Sequence, residues 1–452
     1  MADAPVLDDP RPANRPPFPD SPLGGAKPLR GDPINGERYF DRDFAAAEWA
    51  QMWQRVWHVA GRMAQLEEPG DFIVHDFLKQ SVLVIRQHDG SVRAFHNTCR
   101  HRGNRLAAVE QGGVIDGVRC AYHGWLYGLD GMVRAAQDPD DFPQGSPCGK
   151  IGLKEVACEV WGGFVWYSFA SQPRPLLDYL APIPDLFASR NLDELVRVVW
   201  LTVRVNTNWK FSPDNFNESY HLPTVHPQMR QMIDEDYTNT RFDMFPNGHN
   251  RMIEQGQPSL RADFPNMVEP VWEMMLEQWG LEPAAFQGRS RDGRKALQQA
   301  KRALGPDRGC SYFDDLHDDE LTDYFHHTVF PNVTITGTPD GVHFFRTEPD
   351  AADPEWCTFD YWYLAPRIAG ETEVPTVYGM RPYEEAEHEF RTYGDSNGGH
   401  LLGDFIDQDL SVAVAQQVGF HSLGYEDPYL SGQESRVRRF HEVLNDYLEG
   451  RR

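Results

Sequence analysis

Two short segments, Cys99-Arg100-His101 and Cys120-Ala121-Tyr122-His123, constrain this chain more than anything else in its sequence. Each offers one thiolate and one imidazole, so folding must bring two loops to one point. A [2Fe–2S] cluster with two cysteines on one iron and two histidines on the other needs this inventory, and imidazole in place of thiolate raises its reduction potential. A tetrahedral zinc site can use the same four residues, but zinc fingers group cysteines in one half of the motif and histidines in the other. Here each loop mixes them, which favours the cluster. Gly103 and Gly124 follow the two ligand pairs, and glycine lets the backbone turn tightly beside a metal.

A second constellation lies between residues 208 and 226. His221 and His226 would stand ~140° apart on an ideal helix, so they share no helical face. Pro223 interrupts a regular ladder between them; a helix ending near His221, followed by a turn, would bring both imidazoles to one metal. Glu218, three residues before His221, would share its helical face. Two histidines and one carboxylate with open coordination positions are the donor set of non-haem Fe(II) oxygenases. The carboxylate must come from elsewhere in the chain. Asp409, in a helix opening near Asp404, is the first choice, with Asp407 second; Asp407 also suits an N-cap.

The texture of the chain changes twice. A Pro-rich stretch to about Pro33 reads as an extended arm. Phe44, Trp49, Met52, Trp53 and Val56 then recur at helical spacing, and 1–56 is assigned with the catalytic part. From 57 to 170, short apolar runs at 72–75, 81–85 and 164–167 are punctuated by Asp89-Gly90, Asp116-Gly117 and Asp130-Gly131. Such pairs signal hairpins, so an all-β domain around the cluster loops is predicted. Gln172 to Pro175 reads as the linker into an α+β catalytic domain, 171–452. Its strands are expected at 195–200, 329–335 and 358–363, and its helices at 289–304 and 434–448.

The formal net charge of −25 argues against nucleic acid or an anionic membrane as partner, since both need a basic surface. No apolar run approaches the ~18 residues of a membrane helix. Met1 to Pro5 lacks the basic, apolar character of a secretory leader. Six cysteines in 452 residues do not make a disulfide framework, so Cys148, Cys158, Cys310 and Cys357 are expected as buried free thiols in a cytoplasmic protein. Arg100, Arg102 and Arg105 form a basic patch suited either to docking an acidic electron donor or to pairing with neighbouring carboxylates. His249, His326 and His327 are expected to be exposed or structural. Phe211, Phe216, Tyr220, Phe344 and Phe345 are candidates for lining a cavity, where they would suit a planar ring by stacking or a trimethylammonium group by cation–π attraction.

Both motifs in this order, together with Trp125, Phe330-Pro331-Asn332 and Phe440-His441, resemble the catalytic α subunits of Rieske non-haem iron oxygenases. That family includes aromatic-ring-hydroxylating dioxygenases and monooxygenases or demethylases of quaternary amines and aromatic ethers. The resemblance is weakest from Gln228 to Asp323. It implies Cys99, His101, Cys120 and His123 at a Rieske [2Fe–2S] cluster, and His221, His226 and Asp409 at a mononuclear Fe(II). It implies an all-β Rieske domain beside a catalytic domain in which helices pack a curved antiparallel sheet. It also implies a head-to-tail homotrimer in which the cluster of one subunit reduces the iron of the next through a bridging carboxylate, by position Glu218. Aromatic dioxygenases usually carry Asp there, and Glu is similar to some quaternary-amine monooxygenases. The expected function is a terminal oxygenase that uses O2, and electrons from an NAD(P)H-dependent reductase with or without a ferredoxin, to hydroxylate a small aromatic substrate. Monooxygenation or demethylation of a quaternary amine or aromatic ether is the alternative, and a β subunit is left open. An electron carrier or zinc-binding protein, a different class, would need only the cluster domain and would leave the His221/His226/Asp409 set without a role.

Overall fold

The computed structural model describes residues 29–394 and 403–452, so most of the Pro-rich arm lies outside the described residues. The chain forms two compact units: Glu48–Tyr179, and the preceding segment joined to Leu180–Arg452.

The smaller unit is all-β. Seven strands pair antiparallel in the order His58–Arg62, Phe164–Ser168, Glu155–Trp161, Val92–His96, Gln80–Arg86, Asp71–Phe77 and Gln111–Gly113. Period-two alternation sends Val82 and Val84 to one face, into a core with Ala94, Val165 and Tyr167. Leu83 and Ile85 go to the other, with Phe95, Cys99, Cys120, Trp125 and Tyr127. The second ligand loop grows from a small sheet of Val118–Arg119, Leu126–Tyr127 and Val133–Ala135. Asp89-Gly90 and Asp130-Gly131 do join paired neighbouring strands. Asp116-Gly117 does not, because Val118–Arg119 pairs forward with Leu126–Tyr127 while Gln111–Gly113 pairs back with Asp71–Phe77.

The helix expected over 43–56 is α-helical from Arg42 to Glu48 and then widens into a π-type turn, Trp49–Trp53. Trp53 packs 4.9 Å from the Phe77 ring and Trp49 5.8 Å from Phe169, so this turn is part of the smaller unit's packing.

In the larger unit a single sheet runs Arg241–Met244, Asn250–Glu254, Tyr324–Val329, Val333–Thr338, Gly341–Pro349, Cys357–Ala365, Val196–Val205 and Glu389–Thr392. It is the curved antiparallel sheet packed by helices that was expected, except that its last strand runs parallel to Val196–Val205. The run at 329–335, expected as one strand, is a hairpin that turns at Phe330-Pro331-Asn332, since proline has no N–H for the ladder. Residues 228–323 supply two strands at one end of the sheet and a helical layer, Pro270–Gln278 and Gly293–Leu304, with its own core of Trp272, Leu276, Leu297, Phe313 and Leu321. The helix Ser435–Leu448 is buried along most of its length and sets Phe440 against Trp209 and Phe330.

Among the described residues, no helix is long and apolar enough to cross a membrane. Of the four cysteines outside the cluster loops, Cys310 and Cys357 are buried, whereas Cys148 and Cys158 are only partly buried.

Candidate metal centres

The two cluster loops are built alike. Cys99 N–H donates to Asn104 O and Gly103 N–H to Cys99 O, at 2.8 and 2.9 Å; Cys120 N–H donates to Trp125 O and Gly124 N–H to Cys120 O, at 2.8 and 3.0 Å. Gly103 and Gly124 hold φ of +75° and +69°, the left-handed region that glycine enters without Cβ strain. The loops leave both thiols buried and bring the His101 and His123 rings to 4.6 Å, with His101 stacked on Trp125 at 4.9 Å. His101 Nδ1 is buried and has no hydrogen-bond partner. A buried ring nitrogen without a partner is costly and fits a metal ligand. Tyr127 Oη lies 3.2 Å from Cys99 Sγ and accepts the Arg100 N–H at 2.9 Å. Burial opposes ionisation of Cys120, but the N–H groups of Tyr122 and His123 and the Cys99 side chain outweigh it and lower its pKa. The donor set therefore fits a Rieske cluster.

Of the basic patch, Arg105 pairs with Asp76 at 2.9 Å. Arg102 lies over the Tyr122 ring and reaches the Tyr122 hydroxyl and His123 Nε2.

In the larger unit the second constellation is assembled differently from the sequence expectation. The first helix stops at Phe216, Glu218 sits in the turn after it, and a short helix Leu222–Val225 separates the two histidines. His221 and His226 come together at 5.2 Å between ring centres. Asp409 Oδ1 lies 2.8 Å from His226 Nε2 and 3.6 Å from His221 Nε2, and the three ligand atoms fall within 4.8 Å of one another. Asp409 is on the helix Asp404–Phe420, whose N-cap is Gly403, so Asp407 stands in the first turn and is not the cap.

Each histidine is oriented through its other nitrogen. Glu218 Oε1 accepts from His221 Nδ1 at 2.6 Å, and Glu218 Oε2 accepts the His221 N–H at 3.0 Å. Gln408 Oε1 accepts from His226 Nδ1 at 2.8 Å. Both Nε2 atoms are thereby turned toward Asp409, the outer-sphere arrangement of histidine metal ligands. Burial opposes charge on His221, but Glu218 and Asp409 outweigh it and raise its pKa to about 9. A site that attracts a proton this strongly also attracts a metal cation, which binds the neutral imidazole. Asn215 Nδ2 donates to Asp409 Oδ1 at 2.9 Å. Gln408→Ala is expected to weaken iron binding by about 10–100-fold without changing cluster content, read by iron titration of metal-stripped protein.

Two different surfaces flank this set. On the Glu218 side is a cleft of about 210 Å³, lined by Glu218, His221, Asp409, Val412, Phe420 and Tyr425 among others. On another side stands the sheet. Register places Met252, His326, Thr336, His343 and Tyr363 in one row across it, with Phe345 and Tyr361 in the next. Phe216 packs 5.2 Å from His326 and 4.8 Å from Phe345, so this face looks toward the His221 loop. Thr336 Oγ1 is 2.6 Å from His326 Nδ1, and Tyr361 Oη is 3.0 Å from His343 Nδ1. Burial lowers His326 to about 3 and His343 to about 4, keeping both neutral.

Alternation divides the aromatic candidates. Phe345 is on this face; Phe344 stacks on Trp362 at 4.3 Å on the other. Tyr220 is exposed, and Phe211 lines the cleft. His249 and His327 are buried rather than exposed, and His326 stands on the face toward the His221 loop. Sequence reasoning assigned no role to Tyr127, Gln408 or Asn215. Gln408 adjoins the chosen aspartate, but no spacing rule marks the other two.

A β-domain built for a mixed Cys/His cluster and a sheet-and-helix domain with a two-histidine, one-carboxylate set define an iron-dependent oxygenase. The "Rieske [2Fe-2S] domain" matches residues 56–146, and "Ring hydroxylating alpha subunit (catalytic domain)" matches 192–450. The chain belongs to the ring-hydroxylating α subunit family: it is a Rieske-type oxygenase, the terminal component that receives electrons from a reductase or ferredoxin, with a [2Fe–2S] cluster and a mononuclear iron. Its relatives include a glycine betaine monooxygenase oxygenase subunit from Chromohalobacter salexigens, 29% identical over 75% of this chain and 79% of that one. A naphthalene 1,2-dioxygenase large component from Pseudomonas putida is 34% identical over 41% of this chain and 42% of that one. Among solved structures, a quaternary ammonium Rieske monooxygenase linked to carnitine oxidation by gut microbiota superposes with a TM-score of 0.65 at 16% identity, covering 92% and 95% of the two chains.

Proposed function

We propose that this oxygenase inserts a single oxygen atom into a small polar organic substrate, with Cys99, His101, Cys120 and His123 holding the cluster and His221, His226 and Asp409 holding the iron. When bound, the cluster supplies electrons and the iron activates O2. The chain's own residues do the rest. Glu218 and Gln408 hold the imidazoles in one tautomer, Asn215 orients the Asp409 carboxylate, and the sheet face positions the substrate. Glu218 is the bridge by which an electron arrives from a neighbouring subunit's cluster, in a cytoplasmic homotrimer. The cleft beside Glu218 and His221 gives such a neighbour its approach.

The observation that carries the reading is the row His326, Thr336 and His343 on the wall facing the His221 loop. His326 Nε2 on this wall is buried and without a hydrogen-bond partner, and a hydrocarbon would leave it unmatched at a cost of ~1–3 kcal/mol. The relative aligned along three quarters of the chain is a glycine betaine monooxygenase subunit, which supports the same reading. A second reading, dihydroxylation of an aromatic ring, draws on Phe216, Phe345 and Tyr361, which offer stacking faces.

The test is a product analysis with a surrogate reductase, NADH and 18O2, offering quaternary amines, methoxyarenes, aromatic acids and naphthalene. One labelled oxygen, or loss of a methyl as formaldehyde, is the expected result. Two labelled oxygens on a ring would replace it with the second reading.

A further inference from the structure

The sheet face beside the candidate iron site ends in two carboxylates that the site described above does not use. Asp234 bridges Gln255 in antiparallel register, which sets Glu235 opposite Glu254. The Asp234 side chain turns to Arg291 at 2.6 Å, so strand alternation turns Glu235 to the opposite face, the one that bears Glu254. Glu254 in turn pairs with Tyr324 and stands two residues from Met252, the neighbour of His326. The pair therefore extends the polar wall already described.

Both carboxylates are buried, with Glu235 fully inaccessible and Glu254 5% exposed. Neither oxygen of Glu235 has a hydrogen-bond partner, and Glu254 Oε1 has none. The buried Arg436, which acts on Glu254, directs Nε to Asn217 O, Nη1 to Asn250 Oδ1 and Nη2 to Phe216 O. Burial pushes Glu254 up to about 7 in spite of the Ser219 hydroxyl and Arg436. Ser219, on the loop two residues before His221, is itself buried, and its hydroxyl faces Glu254. Through Met252 and His326, the pair joins the row against which Phe216, ahead of the His221 loop, is packed. Buried charge of this kind needs a partner of opposite sign, and among the described residues none is bonded to these oxygens.

We propose that Glu235 and Glu254 form the subsite for a cationic nitrogen of the substrate, so that the substrate class is a small alkylammonium compound. Phe216 beside the same wall and Tyr324 next to Glu254 add aromatic surface, which attracts a methylated ammonium through its ring faces. This inference rests on the monooxygenase reading above and names its substrate class.

The test compares each trimethylammonium compound with the isostere in which carbon replaces the charged nitrogen, on the holoenzyme: choline with 3,3-dimethylbutan-1-ol, and glycine betaine with 3,3-dimethylbutanoate. Calorimetric binding is expected to favour at least one cation over its isostere by about tenfold or more, the equivalent of 1.4 kcal/mol. Glu254→Gln and, separately, Glu235→Gln are expected to raise KM for that cation by a similar factor while iron and cluster content stay at wild-type levels. Equal binding of cation and isostere, no binding of either cation, or an unchanged KM in both variants overturns the proposal. The wild-type comparison needs no variant to fold. If the enzyme incorporates 18O into neutral substrates and shows no preference for cations, the oxygenase stands and this subsite falls. If no compound yields labelled product, the monooxygenase reading itself fails.

Discussion

His226→Ala is expected to remove the mononuclear iron and reduce product formation to background, with the cluster intact. The His226 ring is 3% exposed and its Nε2 is 2.8 Å from Asp409 Oδ1. Without it a three-donor site becomes a two-donor site, and among the described residues the buried carboxylate keeps His221 and Asn215 as polar neighbours. Among the described residues, the two polar side chains beside the histidines are already engaged, Gln408 with His226 Nδ1 and Glu218 with His221 Nδ1. The cluster loops belong to the other compact unit, so their visible absorption should not change. Metal analysis and product quantification on the same preparation decide the matter. Wild-type iron content in this variant would contradict the ligand assignment. Asp407→Ala is the control and should keep its iron, which separates the two aspartates the sequence left as first and second choice.

The second large effect is expected for Cys120→Ser. Cys120 is 2% exposed, in a core with Trp125, Tyr127 and Val133, so the cluster stands inside the packing of its domain. Metal-binding free energy at such a site is folding free energy. Loss of one thiolate is therefore expected to abolish the visible absorption of the cluster and to lower the melting temperature of the domain, while the mononuclear iron persists. Retained cluster absorption would mean that the four residues are not the ligand set.

The metal chemistry was legible in the sequence because ligand identity and loop spacing are local properties. Cys99, His101, Cys120 and His123 need only two short turns, and those turns are written in Gly103 and Gly124. Asp409 was harder, since its approach to His221 and His226 depends on a helix nearly two hundred positions away packing onto their loop. The turn at Phe330-Pro331-Asn332 resembles strand in sequence because its apolar flanks continue the β pattern, although the missing N–H of proline argues against it. His326 and His327 looked equivalent in sequence. Only the register of the sheet sends one toward the candidate iron site and the other against Phe187. The polar sheet face beside the candidate iron site was least legible, because Glu235, Glu254, His326 and His343 come from four separate segments aligned by strand pairing.

The most direct measurement is a single turnover of pre-reduced protein mixed with O2 and substrate, comparing wild type with Glu218→Gln. In the wild type, reoxidation of the cluster and appearance of product should rise together and should require substrate. In Glu218→Gln both should slow by about 10–100-fold, the usual effect of an outer-sphere partner, with both metal centres still loaded. Reoxidation of the cluster at the wild-type rate in Glu218→Gln, or reoxidation without substrate and without product in the wild type, would contradict an iron fed by the cluster through Glu218.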